Sequence, residues 1–300
     1  MRAAVLQEAR KPIESFDDLE VIAPRAGEVR VRIKYCGLCH SDLGFLTGQS
    51  PLMGPQVPGH EASGIVDALG AGVTHLAEGD HVILTPASPC GRCYYCQRKQ
   101  FSLCTDAMGI LSGTLPDGST GISRDGQQVY RGCGIGALAE YVTLPANGAV
   151  KIDKDIPLDV ACVIGCALQT GVGAVLNTAK MEVGATCVVL GLGGIGMATI
   201  QGARVAGAEV IIASDPVAER RAKAADFGAT HVVDPVADDL QSVVVEATGG
   251  IGVDYAFEAA GKAALIEQGI QLTRMGGTTI IVGSPALEEN LTIPNVVLFQ

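Results

Sequence analysis

Four cysteines fall within fifteen residues, in the stretch CGRCYYCQRKQFSLC from Cys90 to Cys104. A C-x2-C-x2-C spacing with a fourth thiol a loop away suits four thiolates closing tetrahedrally on one zinc ion, with Zn–S near ~2.3 Å. Cys90, Cys93, Cys96 and Cys104 would then supply every ligand, leave no corner for substrate, and staple a lobe with few apolar residues of its own. Two disulfides or an iron–sulfur cluster are the competing readings of the same spacing. A second set of soft donors is dispersed: Cys39 in CGLCHSD, His60 in PGHEASG and Cys166 in IGCALQTG. Two thiolates, one imidazole and a water make the catalytic kind of zinc site, whose fourth position stays open. Singly, Cys166 reads as a small buried side chain and His60 as a turn residue. The constellation, with Glu61 beside His60, points to a Lewis-acidic centre.

The third chemical signal is GLGGIG, in which Gly191, Gly193 and Gly196 satisfy G-x-G-x-x-G directly after an apolar run and before helical spacing, with Gly194 inside the same turn. The first glycine makes the turn, the second lets a pyrophosphate reach the backbone, and the third lets helix pack on strand. The helix N-terminus adds free N–H groups and a positive dipole end. Asp215 stands nineteen residues after Gly196, where an acid accepts hydrogen bonds from the adenosine ribose and repels a 2′-phosphate, favouring NAD over NADP. Arg220 and Arg221 nearby keep NADP open, and Asp215 followed by Pro216 also reads as a helix cap.

The elements that must position these residues differ between the two halves. Up to about residue 165, short apolar runs such as Val29–Ile33 and Ser63–Val66 alternate with Gly, Pro and Asp turns, a β-rich pattern, and Gly109–Gly136 reads as a long surface loop or hairpin. From Thr186 the rhythm becomes strand, glycine, helix. Strands are expected at Thr186–Leu190, Glu209–Ser214, His231–Val233, Val253–Phe257 and Thr278–Val282. Helices are expected at Met197–Ala206, Val217–Phe227 and Ala264–Thr273. Alternation of this kind implies right-handed βαβ crossovers and a parallel sheet.

At 300 residues and 48% hydrophobic, the chain has the material for two packed domains. A formal charge of -11 argues against nucleic acid and anionic membranes as partners, and no apolar run approaches the ~18 residues of a membrane span. Ten cysteines in a large chain with ample apolar residues suggest metal ligands and a reducing cytoplasm. Cys36, Cys133, Cys162 and Cys187 read as buried small side chains, and His75, His81 and His231 as surface or structural histidines.

Taken together, the four-cysteine lobe, GHE, GC-x3-TG and GLGGIG make the chain, from about residue 1 to residue 300, similar to the zinc-dependent medium-chain alcohol dehydrogenases. The resemblance implies an α/β protein. A GroES-like β-rich catalytic domain (1–167, with a structural zinc lobe at 90–104) would be joined to a Rossmann doubly wound parallel-sheet NAD-binding domain (168–300). It implies two zinc ions per chain, a catalytic one on Cys39, His60 and Cys166 and a structural one on Cys90, Cys93, Cys96 and Cys104. By the same resemblance Ser41 hydrogen-bonds the alcohol and takes its proton, and His40 touches the coenzyme pyrophosphate. Asp42 would orient the His60 ring, and Glu61 would assist ligand exchange. Thr170 would lie near the nicotinamide and Arg220 near the adenosine ribose. The activity implied is reversible hydride transfer between a primary alcohol or aldehyde and NAD, in a homodimer or homotetramer. Departures matter too. Gly44 replaces the histidine that ends the family's proton relay. LPDG in the mid-chain loop resembles the class III branch, but Met108 stands where that branch has its glutathione-binding arginine, so an uncharged alcohol, aliphatic or aromatic, is preferred. The alternatives are a thiol-adduct-dependent formaldehyde dehydrogenase and an inactive, truncated nucleotide-binding protein. The resemblance leads one to expect a further strand and a C-terminal return beyond the closing PNVVLFQ.

Overall fold

The structure, a computed structural model, describes residues 1–286 and 288–295. The chain forms two compact units, Met1–Cys166 and Ala167–Gln300. In the first, strand β1 (Glu28–Gly37) leads to helix α1 (His40–Thr47), followed by β2 (Glu61–Leu69), β3 (His81–Leu84), the short helix α2 (Tyr94–Gln97), β4 (Tyr141–Pro145) and β5 (Ala149–Ile152). The five strands form one antiparallel sheet in the order β4-β1-β2-β3-β5. Two-residue periodicity explains its core: Val29 and Val31 of β1 point inward with Val66, Val82, Leu84, Val142 and Leu144, while Arg32 is exposed. Each such aliphatic contributes about 1.5–3 kcal/mol by leaving water.

Register decides what the sheet can position. The β1–β2 ladder continues through Cys36↔Ala62 to Gly37↔Glu61. The exit of β1 therefore lies beside the entrance of β2, which brings Cys39, two residues past β1, alongside His60, one residue before β2. The two strands pass closely here: a Cβ at position 37 would sit 2.5 Å from Glu61 Oε2, so a larger residue would push the Glu61 carboxylate aside. At the end of this unit the chain runs flush against β3: a Cβ on Gly165 would meet Leu84 O at 2.1 Å. That close approach delivers Cys166 to the same end of the sheet.

The expected surface loop at Gly109–Gly136 is corrected in part. It does contain a hairpin, Ile122–Arg124 paired with Gln127–Gln128 through Asp125 and Gly126, both at positive φ. Yet Leu115, Ile122, Val129, Arg131 and Ile135 are buried, and Arg131 is the largest fully buried side chain. Its Nε donates to Gly134 O at 3.1 Å and its Nη1 to Thr120 O at 3.4 Å, so the arginine pins the segment from inside.

The second unit begins with α3 (Ala167–Gly173). It alternates β6 (Thr186–Leu190), α4 (Gly194–Ala206), β7 (Val210–Ser214), α5 (Ala218–Phe227), β8 (His231–Val233), α6 (Leu240–Ala247), β9 (Val253–Glu258), α7 (Ala263–Leu272) and β10 (Thr273–Ile281). The strands are parallel in the order β8-β7-β6-β9-β10, the doubly wound arrangement. Both faces are covered. Cys187, Val189, Ile211, Ala213 and Phe257 feed one core, and Val188, Leu190, Ile212, Val253 and Ala256 the other. Helix α6 forms despite three successive valines in LQSVVVEA; Asp239 caps it, Oδ1 accepting Gln241 N–H at 3.2 Å. Strand β10 starts at Thr273, five residues before the expected start, running directly out of α7. The PNVVLFQ terminus lies outside the described residues from Val296 onward. Among the described residues no single helix is long and apolar enough to cross a membrane.

Candidate active site and metal centres

Cys39 is the N-cap of α1, with extended backbone (φ −96°, ψ 159°), so its side chain stands at the positive end of the helix. Asp42, one turn on, closes the cap by accepting Cys39 N–H at Oδ2, 3.0 Å away. Its Oδ1 accepts Gly59 N–H at 2.9 Å and lies 3.3 Å from His60 Nδ1. Asp42 (1% exposed) and His60 (2%) form a fully buried pair. With Nδ1–H directed at Asp42, Nε2 is left with its lone pair for a metal. The Sγ atoms of Cys39 and Cys166 lie 4.0 Å apart, and these two atoms and a His60 ring nitrogen all lie within 4.8 Å of one another.

Charge behaves here as it should around a site for a cation. Cys39 is pushed down to about 3, chiefly by the hydrogen bond with Cys166, with His60 and the Ser41 backbone assisting against burial. Cys166 is pushed up by the same bond and by burial. For His60 burial is the largest influence and opposes protonation, but Asp42 and the Cys133, Cys166 and Cys39 thiols outweigh it and raise its pKa. Burial also works against the Asp42 carboxylate, yet His60 and the Cys39 and Gly59 N–H groups hold its pKa below the usual range. Two thiols and an imidazole nitrogen within 4.8 Å of one another are the soft donors zinc prefers, so the donor set fits zinc.

Around this trio, Ser41 is exposed, its Oγ 3.8 Å from Cys39 Sγ. His40 is also exposed, while Glu61 is buried (5%) against Gly37. Gly44 is buried, and Ser50 Oγ sits 2.9 Å from where its Cβ would be, occupying the place of a residue-44 side chain. Sequence reasoning passed over Cys133 as one more buried thiol. It belongs to a second donor group with Asp42 and His60, and it holds φ 48°, ψ 34°, a left-handed backbone rare outside glycine. Only its flanking glycines, in RGCGIG, hinted at unusual backbone.

The four lobe sulfurs also lie within 4.8 Å of one another. Cys93 caps α2, its Sγ accepting Cys96 N–H at 3.4 Å, and Cys104 Sγ accepts Cys90 N–H at 3.3 Å. None of the ten cysteines is joined in a disulfide. The lobe's own core is only Cys96, Cys104 and Ala107, with Ala87, Cys90 and Cys93 against it, while Tyr94, Phe101 and Leu103 are exposed. So little apolar burial is the situation in which a metal bound by four thiolates would supply much of a lobe's folding energy.

In the second unit the glycine loop has the shape its sequence demands. Gly191 takes φ 93°, and a Cβ on Gly196 would lie 1.9 Å from Gly191 O. Gly193 caps α4, and a Cβ there would meet nothing within 4 Å, the open approach a diphosphate needs. A Cβ on Gly194 would come within 3.3 Å of Ala167 Cβ. Asp215, 3% exposed, accepts Leu192 N–H at Oδ2 (2.8 Å) and Val217 N–H at Oδ1 (2.8 Å), with Arg220 Nη1 at 3.3 Å. It thus braces the glycine loop itself. It is not the N-cap of α5, which is Val217, because the Val217 bond closes a turn two residues long before the helix starts. Thr170 lies half-buried on α3.

Comparison with known proteins agrees with this geometry. The alcohol dehydrogenase GroES-like domain family matches residues 25–154, and the zinc-binding dehydrogenase family matches residues 194–300. The fold and donor sets therefore define a two-domain, zinc-binding oxidoreductase. The chain belongs to the zinc-dependent medium-chain alcohol dehydrogenase family. An alcohol dehydrogenase zinc-binding domain protein from Burkholderia ambifaria matches at 37% identity and TM-score 0.92, covering 99% of this chain and 80% of its own. Benzyl alcohol dehydrogenase from Acinetobacter calcoaceticus matches at 32% identity and TM-score 0.90, covering 99% and 81%. A structure from Sinorhizobium meliloti 1021 bound to NADP matches at 29% identity and TM-score 0.79, again covering 99% and 81%.

Proposed function

We propose that this protein oxidises an uncharged primary alcohol to the aldehyde with NAD, and runs the reverse reduction, at a zinc ion held by Cys39, His60 and Cys166. The observation that carries the reading is this trio of soft donors around one point, the three-ligand set that a catalytic zinc uses when it keeps a fourth position for substrate. When bound, zinc supplies a Lewis acid that lowers the pKa of a hydroxyl and polarises a carbonyl, and the dinucleotide supplies the hydride acceptor. Asp42 fixes the ring and tautomer of His60. Ser41, exposed beside Cys39, receives the substrate hydroxyl's proton at Oγ and passes it to solvent, because Gly44 offers no side chain to take it. Glu61, buried next to His60 in sequence and packed on Gly37, would assist ligand exchange at the metal. Cys90, Cys93, Cys96 and Cys104 hold the second, structural zinc.

Several features support NAD over NADP. Asp215 keeps a carboxylate at the end of β7, and both nearby arginines are engaged: Arg220 with Asp215, and Arg221 with Asp215 O at 2.8 Å and Asp234 at 2.8 Å. In this reading His40, Thr170, Arg220 and the Gly191–Gly196 loop contact the coenzyme, and the work divides between residues 1–167 and 168–300. The relative from Acinetobacter calcoaceticus makes an aromatic primary alcohol the first substrate to try, and Met108 in place of an arginine disfavours a glutathione adduct. The test is metal analysis with steady-state kinetics. Two zinc per chain, NADH formation dependent on benzyl alcohol, and higher kcat/KM with NAD than with NADP are expected. Unchanged activity after complete removal of metal refutes the reading, and formaldehyde oxidation that requires an added thiol moves the substrate to the adduct class.

A further inference from the structure

The C-terminal end of β9 carries a carboxylate that none of the assigned roles uses. Glu258 is 0% exposed, and its register partner on β6 is Leu190, the residue before the glycine loop. Its Oε1 accepts three successive backbone N–H groups, from Ala260 (2.9 Å), Gly261 (2.7 Å) and Lys262 (3.2 Å). Three converging amides form an anion-binding nest, and here the chain fills the nest with its own side chain. Among the described residues Oε2 has no hydrogen-bond partner. The Glu258 carbonyl meanwhile accepts Val282 N–H and Gly283 N–H, and Ala259 N–H donates to Leu190 O.

The turn so held is the wall against which the glycine loop rests. A Cβ on Gly191 would lie 2.7 Å from Ala260 Cβ and 3.0 Å from Ala260 N. From the other side, a Cβ on Gly283 would lie 2.1 Å from Gly261 N and 2.6 Å from Glu258 Oε2. Residues 259–262 thus pack against the backbone of Gly191 on one side and Gly283 on the other, with no room for a side chain at either glycine. We propose that Glu258 is a positioning residue for the dinucleotide, holding the 259–262 turn through Oε1 so that the Gly191–Gly196 loop keeps its binding shape. The inference rests on the dinucleotide-binding reading above and adds to it a residue outside the G-x-G-x-x-G fingerprint.

The experiment is NADH binding to the zinc-loaded full chain, followed by nicotinamide fluorescence, together with thermal unfolding and KM for each substrate. Glu258→Ala empties the nest, and NADH affinity is expected to fall about tenfold or more, ~1.4 kcal/mol. KM for NAD should rise in step, while KM for the alcohol stays within about twofold. Glu258→Gln keeps a carbonyl oxygen for the three N–H groups and should restore affinity to within about threefold. Val253→Ala, a cavity at the opposite end of the same strand, controls for general destabilisation: it should lower Tm without weakening NADH. The inference is overturned if Glu258→Ala binds NADH like wild type, or if Val253→Ala weakens binding as much at equal loss of Tm. If the wild type binds NADPH and not NADH, the choice of NAD fails alone and the same series run with NADPH decides the role of Glu258. A wild type that binds neither overturns both.

Discussion

Replacing Asp42 by asparagine is the most direct challenge to the proposed catalytic centre, because it keeps shape and removes only the pattern of acceptors. Three donors converge on the carboxylate: Cys39 N–H on Oδ2, and Gly59 N–H and His60 Nδ1 on Oδ1. An amide has one oxygen. Whichever way it turns, its NH2 faces a buried N–H, either at the cap that places Cys39 or at the pair that includes His60. At 1% exposure no bulk water relieves the conflict, and leaving one such group unsatisfied costs roughly 1–3 kcal/mol. Converted at ~1.4 kcal/mol per decade, that is about five- to a hundredfold in zinc affinity at this site, the range expected when a partner behind a metal-bound histidine is lost. Competition against a chromophoric chelator, with cobalt substitution to report the two sites separately, measures it. The four-cysteine lobe in the same molecule serves as the internal control and should not change. Affinity within twofold of wild type in a natively folded Asp42→Asn protein would refute the reasoning, since it would mean that His60 and Cys39 are held by something else.

Other consequences follow from the same geometry. Cys104→Ser should cost the lobe its zinc and open residues 90–113 to limited proteolysis, while NADH binding persists, because the lobe has almost no apolar core to fall back on. Gly196→Ala should give little folded protein, with its Cβ 1.9 Å from Gly191 O, whereas Gly193→Ala should fold normally and lose NADH affinity, since its Cβ meets only open space where the diphosphate is proposed to lie; equal expression and binding for the two would sink this account. Burial pushes Cys187 up to about 12, so at pH 9 only roughly 0.1% is thiolate, against about half or more for an ordinary cysteine. Mass spectrometry after alkylation of the native protein at pH 9 should find Cys187 unmodified, and its reaction should accelerate only as pH approaches 12.

What the sequence made legible was what it encodes over short distances. The cysteine spacing of the lobe, the GLGGIG turn and the β-branched runs TCVVL and VIIAS each specify a local geometry, and the structure places them as four clustered sulfurs, a loop that turns at Gly191 with positive φ, and adjacent parallel strands. Cys39, His60 and Cys166 were grouped only because their chemistry matched. What brings them together is the Gly37↔Glu61 register and the flush passage of Gly165 over Leu84, neither of which leaves a periodic signal. The misreadings have the same cause. The segment Gly109–Gly136 read as surface because of its glycines and polar residues, yet Arg131 within it is fully buried, its guanidinium donating to the Gly134 and Thr120 carbonyls. Helix α6 carries three valines in a row, so propensity alone says little about it; the Asp239 cap and the core it covers decide it.

Asp215 and Glu258 take this further, because in both a conspicuous acid spends its hydrogen bonds on the protein's own backbone. Asp215 braces Leu192 from the β7 side, and Glu258 braces the 259–262 turn from the β9 side, so the glycine loop between them is held by two buried carboxylates from flanking strands. A glycine-rich loop left to itself would lose much of its binding energy to its own conformational freedom. Fixing it from both sides supplies the rigidity that its glycines give up, and leaves Gly193 bare for close approach. On this argument the double variant with both acids removed should bind dinucleotide no better than a chain lacking the fingerprint, while the two proposed zinc sites, whose donors all lie within the first unit, keep their metal affinity.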